Sequence, residues 1–216
     1  MKKRLSFICC LMVIAFLVSG LSGYSFGAEN ISQVEAASKK SKNKKAMAAY
    51  KKVLEKSKYK NSSYNKFKFA TYDINGDGVK ELLIDSGGEY SAAQYCEIYT
   101  YYKGKARKLK AEYLIYRPIV FTNGVFSCGF AHTGGYYENY YKIKKGKLQL
   151  VSRHYYHDGP GPSGGLAFYT DECVVDGLSS TADAFTAWKN TFNSTQTRAK
   201  ISYHNNSKSC RNKFLK

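Results

Sequence analysis

The sequence is poor in several residue types on which common enzyme sites depend. It contains 1 Trp, 3 Pro, 4 His and 6 Cys among 216 residues. It has no CxxC spacing, no HExxH pattern and no phosphate-loop pattern, which argues against zinc-knuckle, redox, zinc-protease and nucleotide-hydrolysing sites. His154 and His157 stand three residues apart on a predicted strand, so their side chains face opposite sides and do not form a zinc pair. The motifs that are missing therefore leave no common enzyme class favoured.

Acidic residues are scarce as well. The chain has 34 Lys and Arg against 16 Asp and Glu, a formal net charge of +18. Residues 1–36 hold 3 of the basic and 2 of the acidic residues, so residues 37–216 keep 31 and 14 and a net charge of +17. Such a charge favours anionic partners, such as a cell-wall polymer, an acidic glycan, lipid or nucleic acid. The alternative is that the lysines serve solubility alone, since only five arginines follow residue 36 and phosphate readers often cluster Arg.

The N-terminus has the pattern of a secretory signal. The basic start MKKR precedes an uncharged apolar stretch over residues 5–18, and the tripeptide VEA, ending at Ala36, fits the small-residue pattern of a cleavage site. The apolar stretch is short for a bilayer span. We predict a signal peptide over 1–36, or cleavage after Gly27 instead, and a secreted or cell-surface protein with no membrane span after cleavage.

Four cysteines follow the predicted signal peptide. An even number in an exported chain predicts disulfides, and four cysteines allow three full pairings. The sequence does not choose among zero, one or two bridges. The candidates are Cys96, Cys128, Cys173 and Cys210.

The remaining sequence predicts a flexible basic leader over 37–45 and a single α+β domain over 46–216. Apolar residues around Tyr50 recur at helical spacing and predict a helix from about residue 43 to 57. From residue 67 the pattern changes to a period of two, rich in aromatic and β-branched residues, which is typical of strands.

A second helix is predicted over 179–193, with Thr181 as its favoured N-cap and its aromatic side chains along one face. Residues 157–165 are predicted to form a loop, and KISYH near the C-terminus is predicted to form one further strand. The predicted fold is therefore an antiparallel β-meander flanked by an N-terminal and a C-terminal helix.

Three turn signals divide the predicted strands. Asn123-Gly124 is the dipeptide that most strongly indicates a two-residue hairpin turn. IYTYYKGKARKL and NYYKIKKGKLQL align with each other, because each is an aromatic run followed by a Gly-Lys turn and a leucine. This similarity is compatible with duplication or with two hairpins that converged on one design.

Residues 73–81, here called the acidic loop, carry the clearest chemical pattern. Side-chain oxygens recur at every second position at Asp73, Asn75 and Asp77, and Gly78 allows a sharp turn. Calcium takes six to eight oxygen ligands, so this spacing indicates a calcium loop, with a backbone carbonyl and a further carboxylate completing it. The alternative is a polar turn without metal, because Asp, Asn and Gly are also ordinary turn residues.

The acidic loop does not match an EF-hand, because position twelve is Ile84 and the flanking segments are strand-like. The segment FKFATYDINGDGVKELLIDSGG instead resembles the D-x-N-G-D-G-x-x-E/D-L loop of FG-GAP and VCBS-type repeats, in which calcium sits between two strands. A single loop cannot close a propeller, so that architecture is not implied. The resemblance implies Ca²⁺ as cofactor and, as its ligands, Asp73, Asn75, Asp77, the backbone of Val79, and Glu81.

Two weaker signals concern partners and catalysis. The 20 tyrosines run in clusters, and adjacent Tyr-Tyr pairs place one ring on each face of a strand, so we expect exposed rings suited to stacking on sugars. Six carboxylates could in principle supply the pair that glycan hydrolysis needs, although no spacing selects two of them. They are Glu89, Glu97, Glu112, Glu138, Asp158 and Asp171.

These observations favour a secreted, non-catalytic calcium-binding module that associates with an anionic cell-wall polymer or glycan, with nucleic acid less favoured. The alternative is a secreted hydrolase of cell wall or glycan whose carboxylates the sequence does not identify.

Overall fold

The computed structural model describes residues 28–62, 66–87, 95–112, 114–132, 135–160 and 167–216. Residues 37–216 form one compact unit. Most of the predicted signal peptide lies outside the described residues. None of the helices in the described part of the chain combines the length and hydropathy needed to cross a bilayer.

The described residues form three α-helices and one short 3₁₀ helix. They are α1 Ala28–Leu54, the 3₁₀ helix Ser57–Tyr59, α2 Ala182–Thr195 and α3 Lys208–Phe214. The predicted cap of α2 is confirmed, because the Thr181 side chain accepts a hydrogen bond from the Ala184 N–H at 3.2 Å. In the same way, α3, which the sequence reading missed, begins where the Ser207 side chain accepts from the Cys210 N–H at 3.1 Å.

Residues 37–45, predicted as a flexible leader, belong to α1 in this structure. The segment contains no Gly or Pro, and its Lys and Ala residues favour a helix. Tertiary contacts also hold it: the Asn43 side chain accepts a hydrogen bond from the Lys80 N–H at 3.0 Å. Helix α1 therefore begins earlier than periodicity alone predicts, because apolar spacing marks only the buried part of a helix.

The predicted fold class, α+β with antiparallel strands, is confirmed, although the strands form two sheets. In chain order the strands are β1 Lys68–Tyr72, β2 Glu81–Asp85, β3 Cys96–Tyr102, β4 Lys105–Leu109, β5 Ile119–Val120, β6 Val125–His132, β7 Gly135–Lys144, β8 Lys147–Pro160, β9 Ala167–Val175, β10 Leu178–Ser180 and β11 His204–Asn205. A five-stranded sheet has the order β11-β1-β2-β3-β4, and a six-stranded sheet the order β10-β9-β8-β7-β6-β5.

Two predicted boundaries differ from the structure. Residues 157–160, predicted as part of a loop, continue β8 and pair with β9, while residues 161–166 lie outside the described residues. Of the predicted strand KISYH, only His204 lies in a strand, the two-residue β11, which pairs with β1. Sheet pairing with a neighbour decides both outcomes, and local sequence does not encode it.

Buried side chains form three cores. The outer core between α1 and the five-stranded sheet includes Tyr50, Phe69 and Leu82. The central core between the two sheets includes Leu83, Phe126 and Tyr141. The α2 core, between the six-stranded sheet and α2, includes Val125, Tyr140 and Phe185.

Strand alternation explains why the cores stack in this order. Leu82 packs in the outer core while the next residue, Leu83, packs in the central core. Likewise, Tyr141 packs in the central core while Tyr140 packs in the α2 core. Because successive strand residues point to opposite faces, each sheet is covered on both sides, which gives four layers in the order helix, sheet, sheet, helix.

Candidate functional site

The acidic loop joins β1 to β2 and is anchored in two cores. Ile74 is buried in the central core and Val79 in the outer core. Gly76 and Gly78 adopt φ values of +71° and +83°, which side-chain-bearing residues rarely adopt. The loop is therefore a tight turn held at the buried side chains of Ile74 and Val79, and its polar residues lie between or close to these two positions in the sequence.

Three of the predicted ligands share one turn of hydrogen bonds. Asp73 Oδ2 accepts from the Gly78 N–H at 2.9 Å, and Asp77 Oδ1 accepts from the Val79 N–H at 2.8 Å. Asn75 Oδ1 accepts from the Asp77 N–H at 3.1 Å. Main-chain donors thus hold the side chains of Asp73, Asn75 and Asp77 around one segment of backbone.

One oxygen of this loop is left without a donor. Asp73 Oδ1 is buried and has no hydrogen-bond partner. An unsatisfied buried acceptor costs about 1–3 kcal/mol, and more when it is charged. A hard cation would satisfy this oxygen, and the loop offers it further oxygens at Asn75, Asp77 and the Val79 carbonyl. On these four residues the donor set fits calcium, although the described residues contain no group of three or more His, Cys, Asp or Glu side chains placed to hold a metal.

Glu81, the fifth predicted ligand, has a different environment. It is 1% exposed, its Oε2 accepts from the Ile74 N–H at 3.0 Å, and its Oε1 accepts from the Thr100 hydroxyl at 3.0 Å. Burial, followed by the charges of Asp77 and Asp73, raises the pKa of Glu81 to about 8 despite these two hydrogen bonds. Glu81 therefore ties the loop to β3, and its role as a calcium ligand stays a prediction.

Helix α1 closes one side of the loop, a feature that sequence reasoning missed. A side chain at Gly78 would place its Cβ 2.9 Å from Cδ of Lys39, so the lysine lies directly against the turn. The Tyr50 hydroxyl is buried without a hydrogen-bond partner, and burial followed by the nearby Glu81 and Asp77 charges raises its pKa. The only sequence signal for this contact is that Tyr50 lies on the apolar face of α1.

The four cysteines that follow the predicted signal peptide form no disulfide in the structure. They are distributed over different layers: Cys96 and Cys128 belong to the central core, Cys173 to the α2 core, and Cys210 packs against the outer core. Burial raises the pKa of both the Cys96 and the Cys128 thiol to about 12. The predicted disulfides are thus not formed in this structure, and of the four only Cys96 and Cys128 share a core.

The described carboxylates among the hydrolase candidates are each paired with a cation. Glu97 accepts from Lys108 at 2.8 Å, and the nearest oxygen of Glu138 is 2.5 Å from Lys189 Nζ. Glu112 pairs with Arg153 at 2.5 Å. Glu89 lies outside the described residues, and the side chains of Asp158 and Asp171 are not described. The structure therefore singles out no pair among the described carboxylates.

The tyrosines are less exposed than their pairing in sequence predicts. Tyr140 and Tyr141 point to opposite faces of β7, yet they are 1% and 5% exposed because both faces of this sheet are covered. Tyr95 and Tyr116, at 36% and 37%, are exposed rings as expected. Adjacent aromatic residues indicate exposure only where one face of a sheet meets solvent, and at Tyr140 and Tyr141 both faces are covered.

Comparisons with known proteins assign no family: no protein family and no curated protein sequence matches the chain. Among solved structures, a Xanthomonas protein related to a type IV secretion system is similar, with 15% sequence identity and a TM-score of 0.32. The match covers 57% of this chain and 60% of that chain. At so low a TM-score the likeness carries no conclusion about function.

Proposed function

We propose that this protein is an exported, non-catalytic calcium-binding module that associates with the anionic surface of the cell that produces it. The observation that carries the calcium assignment is Asp73 Oδ1, a buried acceptor without a donor, whereas the other carboxylate and amide oxygens of the loop accept hydrogen bonds. The net charge of +17 over residues 37–216 supports an anionic partner.

Asp73, Asn75, Asp77 and the Val79 carbonyl would hold the ion. A bound calcium ion would have a structural role: it would neutralise the carboxylates and hold the β1–β2 connection between the two cores. Extracellular calcium sites bind at about 0.1–1 mM. At ~1 mM free calcium, such a site adds about 0.4–1.4 kcal/mol to the free energy of unfolding.

Calorimetric titration with calcium tests the loop, using the purified protein with its N-terminus as the cell processes it. We expect saturable binding and a higher melting temperature, both lost in Asp73→Asn/Asp77→Asn. The matched control is Asp176→Asn, which removes an acidic charge from the turn after β9 without touching the loop. Absence of heat and of a thermal shift up to several millimolar calcium would contradict the assignment.

Incubation with isolated cell wall over a range of salt concentrations tests the surface association. We expect retention that weakens as salt increases and no soluble wall fragments, because screening reduces attraction between charged surfaces. Fragments released into solution would contradict the non-catalytic assignment. The mass of the protein recovered from the medium tests export, with Ala37 or Ala28 expected as its first residue.

A further inference from the structure

A basic cleft lies where hairpin turns of the two sheets meet. It has a volume of about 600 Å³ and opens between the β3–β4 turn and the β7–β8 turn. Among the described residues, no carboxylate lines it. Its cations are Lys103, Arg107, Lys144, Lys145 and Lys147.

The two turns are packed against each other. Gly146 lies against the ring of Tyr102, since a Cβ at this glycine would be 2.5 Å from the ring Cγ. Only glycine allows the β7–β8 turn to approach this closely. The contact brings together cations from two hairpins that are more than 35 residues apart in sequence, and these are the two hairpins whose sequences align.

Both turns place a lysine where a lysine is unfavourable. Lys103 and Lys145 each have a φ of +50°, next to the positive-φ glycines Gly104 and Gly146. Such turns normally carry Asn, Asp or Gly at the first position, because a longer side chain is strained there. One lysine at an unfavourable positive φ thus lies on each side of the cleft. Strained residues of this kind are typical of functional sites, where they lower the stability of the fold.

Arg107 supplies an unused donor at this cleft. Its Nε is buried and has no hydrogen-bond partner, and the guanidinium carbon lies 5.4 Å from the centre of the Tyr102 ring. Within the described part of the chain, no ion pair involves Arg107 or the four lysines of the cleft. By contrast, Lys58 and Lys108, outside the cleft, both bind Glu97.

We propose that this basic cleft binds a flexible cell-surface polymer that carries a phosphate group in its repeat unit. The assignment deepens the surface association proposed above and rests on it. Arg pairs with phosphate through its planar fork of N–H donors, and Lys adds compact positive charge, so the cleft can accept successive phosphates of one chain. Nucleic acid fits less well, because Tyr102 is the one aromatic ring among the described lining residues and it already packs against Gly146 and Arg107.

Binding of short-chain inorganic polyphosphate, measured without calcium at several salt concentrations, tests the site. The cleft variant is Lys103→Asn/Arg107→Gln/Lys145→Asn, in which Asn suits both turns and so protects the fold. We expect binding at least about tenfold weaker and a shallower salt dependence, because charged hydrogen bonds and released counterions are lost. The control Lys44→Gln/Lys200→Gln/Lys208→Gln removes three exposed charges outside the cleft and should change binding little. An equal loss in both variants would overturn the proposal.

Two further ligands test the chemistry of the occupant. Polyglutamate of matched charge should bind more weakly than polyphosphate, and so should single-stranded DNA. If polyglutamate bound as tightly as polyphosphate, the cleft would not be selective for phosphate, and this proposal would be overturned. Tighter binding of DNA would likewise overturn it in favour of nucleic acid.

The calcium and wall experiments on the same variants separate this proposal from the proposed function. The cleft variant should still bind calcium, and Asp73→Asn/Asp77→Asn should still bind polyphosphate. If the cleft variant is retained on cell wall as well as the wild type, the surface association stands and the cleft is not its site. If the wild type is not retained, the association itself fails, and with it the polymer proposed here.

Discussion

The acidic loop and the basic cleft are built from the same kind of element in opposite ways. Both lie at connections between neighbouring antiparallel strands, and both contain one buried polar atom without a partner, Asp73 Oδ1 and Arg107 Nε. In the acidic loop, short side chains fold back onto backbone N–H groups. In the cleft, the charges are carried on long Lys and Arg side chains, and the described lining residues include no carboxylate.

This difference teaches what each site can bind. Backbone N–H groups lie within reach of short Asp and Asn side chains, so an acidic turn can satisfy most of its own oxygens and leaves room for one small ion. A backbone cannot do the same for distant Lys and Arg head groups. Their charges must be met by water, by an internal carboxylate or by an extended anionic partner, and the cleft contains no internal carboxylate.

Replacement of Glu81 should change the free energy of unfolding more than any other substitution considered. It tests whether Glu81 acts mainly as a buried hydrogen-bond acceptor of the core. Glu81→Leu should lower the free energy of unfolding by about 2–4 kcal/mol, because the Ile74 N–H and the Thr100 hydroxyl lose their buried acceptor. Glu81→Gln should have a much smaller effect, since its carbonyl still accepts from Ile74 and its amide can face Thr100. Denaturant unfolding of both variants measures the difference; similar losses would show that these two hydrogen bonds are not what stabilises the loop.

Replacement of Glu97 tests the contrast between paired and unpaired lysines. Glu97 is 5% exposed and accepts from Lys58, Lys108 and Tyr59. Glu97→Gln should destabilise the fold by about 1–3 kcal/mol, a range kept low because both lysine side chains are half exposed. Lys144→Gln/Lys147→Gln, in the cleft, should leave stability almost unchanged. If both variants lowered the free energy of unfolding equally, the lysines that pair with Glu97 and the lysines of the cleft would not differ in their contribution to stability.

The same carboxylate predicts a pH dependence. Burial alone would raise the pKa of Glu97, but the bonds from Lys108, Tyr59 and Lys58 outweigh it, and the pKa is lowered. Its contribution to stability is therefore fully present above the unfolded value of about 4.3 and is lost as the pH falls through the lower, folded value. Unfolding followed between neutral and acidic pH should show this loss in the wild type and a weaker one in Glu97→Gln.

Relief of backbone strain in the two turns of the cleft should increase the free energy of unfolding, by less than the Glu81 and Glu97 replacements decrease it. Lys103→Asn/Lys145→Asn should raise the free energy of unfolding by about 0.5–1 kcal/mol, because Asn tolerates positive φ better than Lys. The same variant should lose affinity for polyphosphate. Thermal unfolding and a binding titration on one sample measure both, and a loss of stability would show that the lysines do not strain these turns.

Thiol labelling gives the smallest effect, on rates rather than stability. Cys210, which is half-buried, should react first with a thiol reagent, whereas Cys96 and Cys128, whose pKa values burial raises to about 12, should react only slowly. Counting the reactive thiols of the unfolded protein also tests the predicted disulfides. Fewer than four would show that the exported protein forms bridges that this structure does not contain.

Several features could be predicted from sequence because they depend on neighbouring residues. Thr181 caps α2 through a residue three positions away, and the Asn123 side chain accepts from the Val125 N–H within the predicted hairpin turn. The hydrogen bonds that Asp73, Asn75 and Asp77 accept from the backbone of the acidic loop likewise join residues at most five positions apart. Local chemistry is sufficient to specify such features.

Other features depend on contacts that no local pattern contains. The middle of α1 is held where Asn43 meets Lys80, and the rings of Tyr140 and Tyr141 are covered because two other layers pack on β7. The placement of Glu81 inside the core, tied to Thr100, has the same origin.

By itself, the sequence determined the charge of this protein, its α+β antiparallel character and the composition of the acidic loop, because composition, periodicity and short-range hydrogen bonds are written in adjacent residues. Tertiary structure alone decided that the strands divide into two sheets, that α1 closes the loop, and that Gly146 meets Tyr102 to gather five cations in one cleft. The physical reason is packing: apolar faces that alternate along the strands must be buried by partners distant in sequence, and the turns then meet wherever that burial places them.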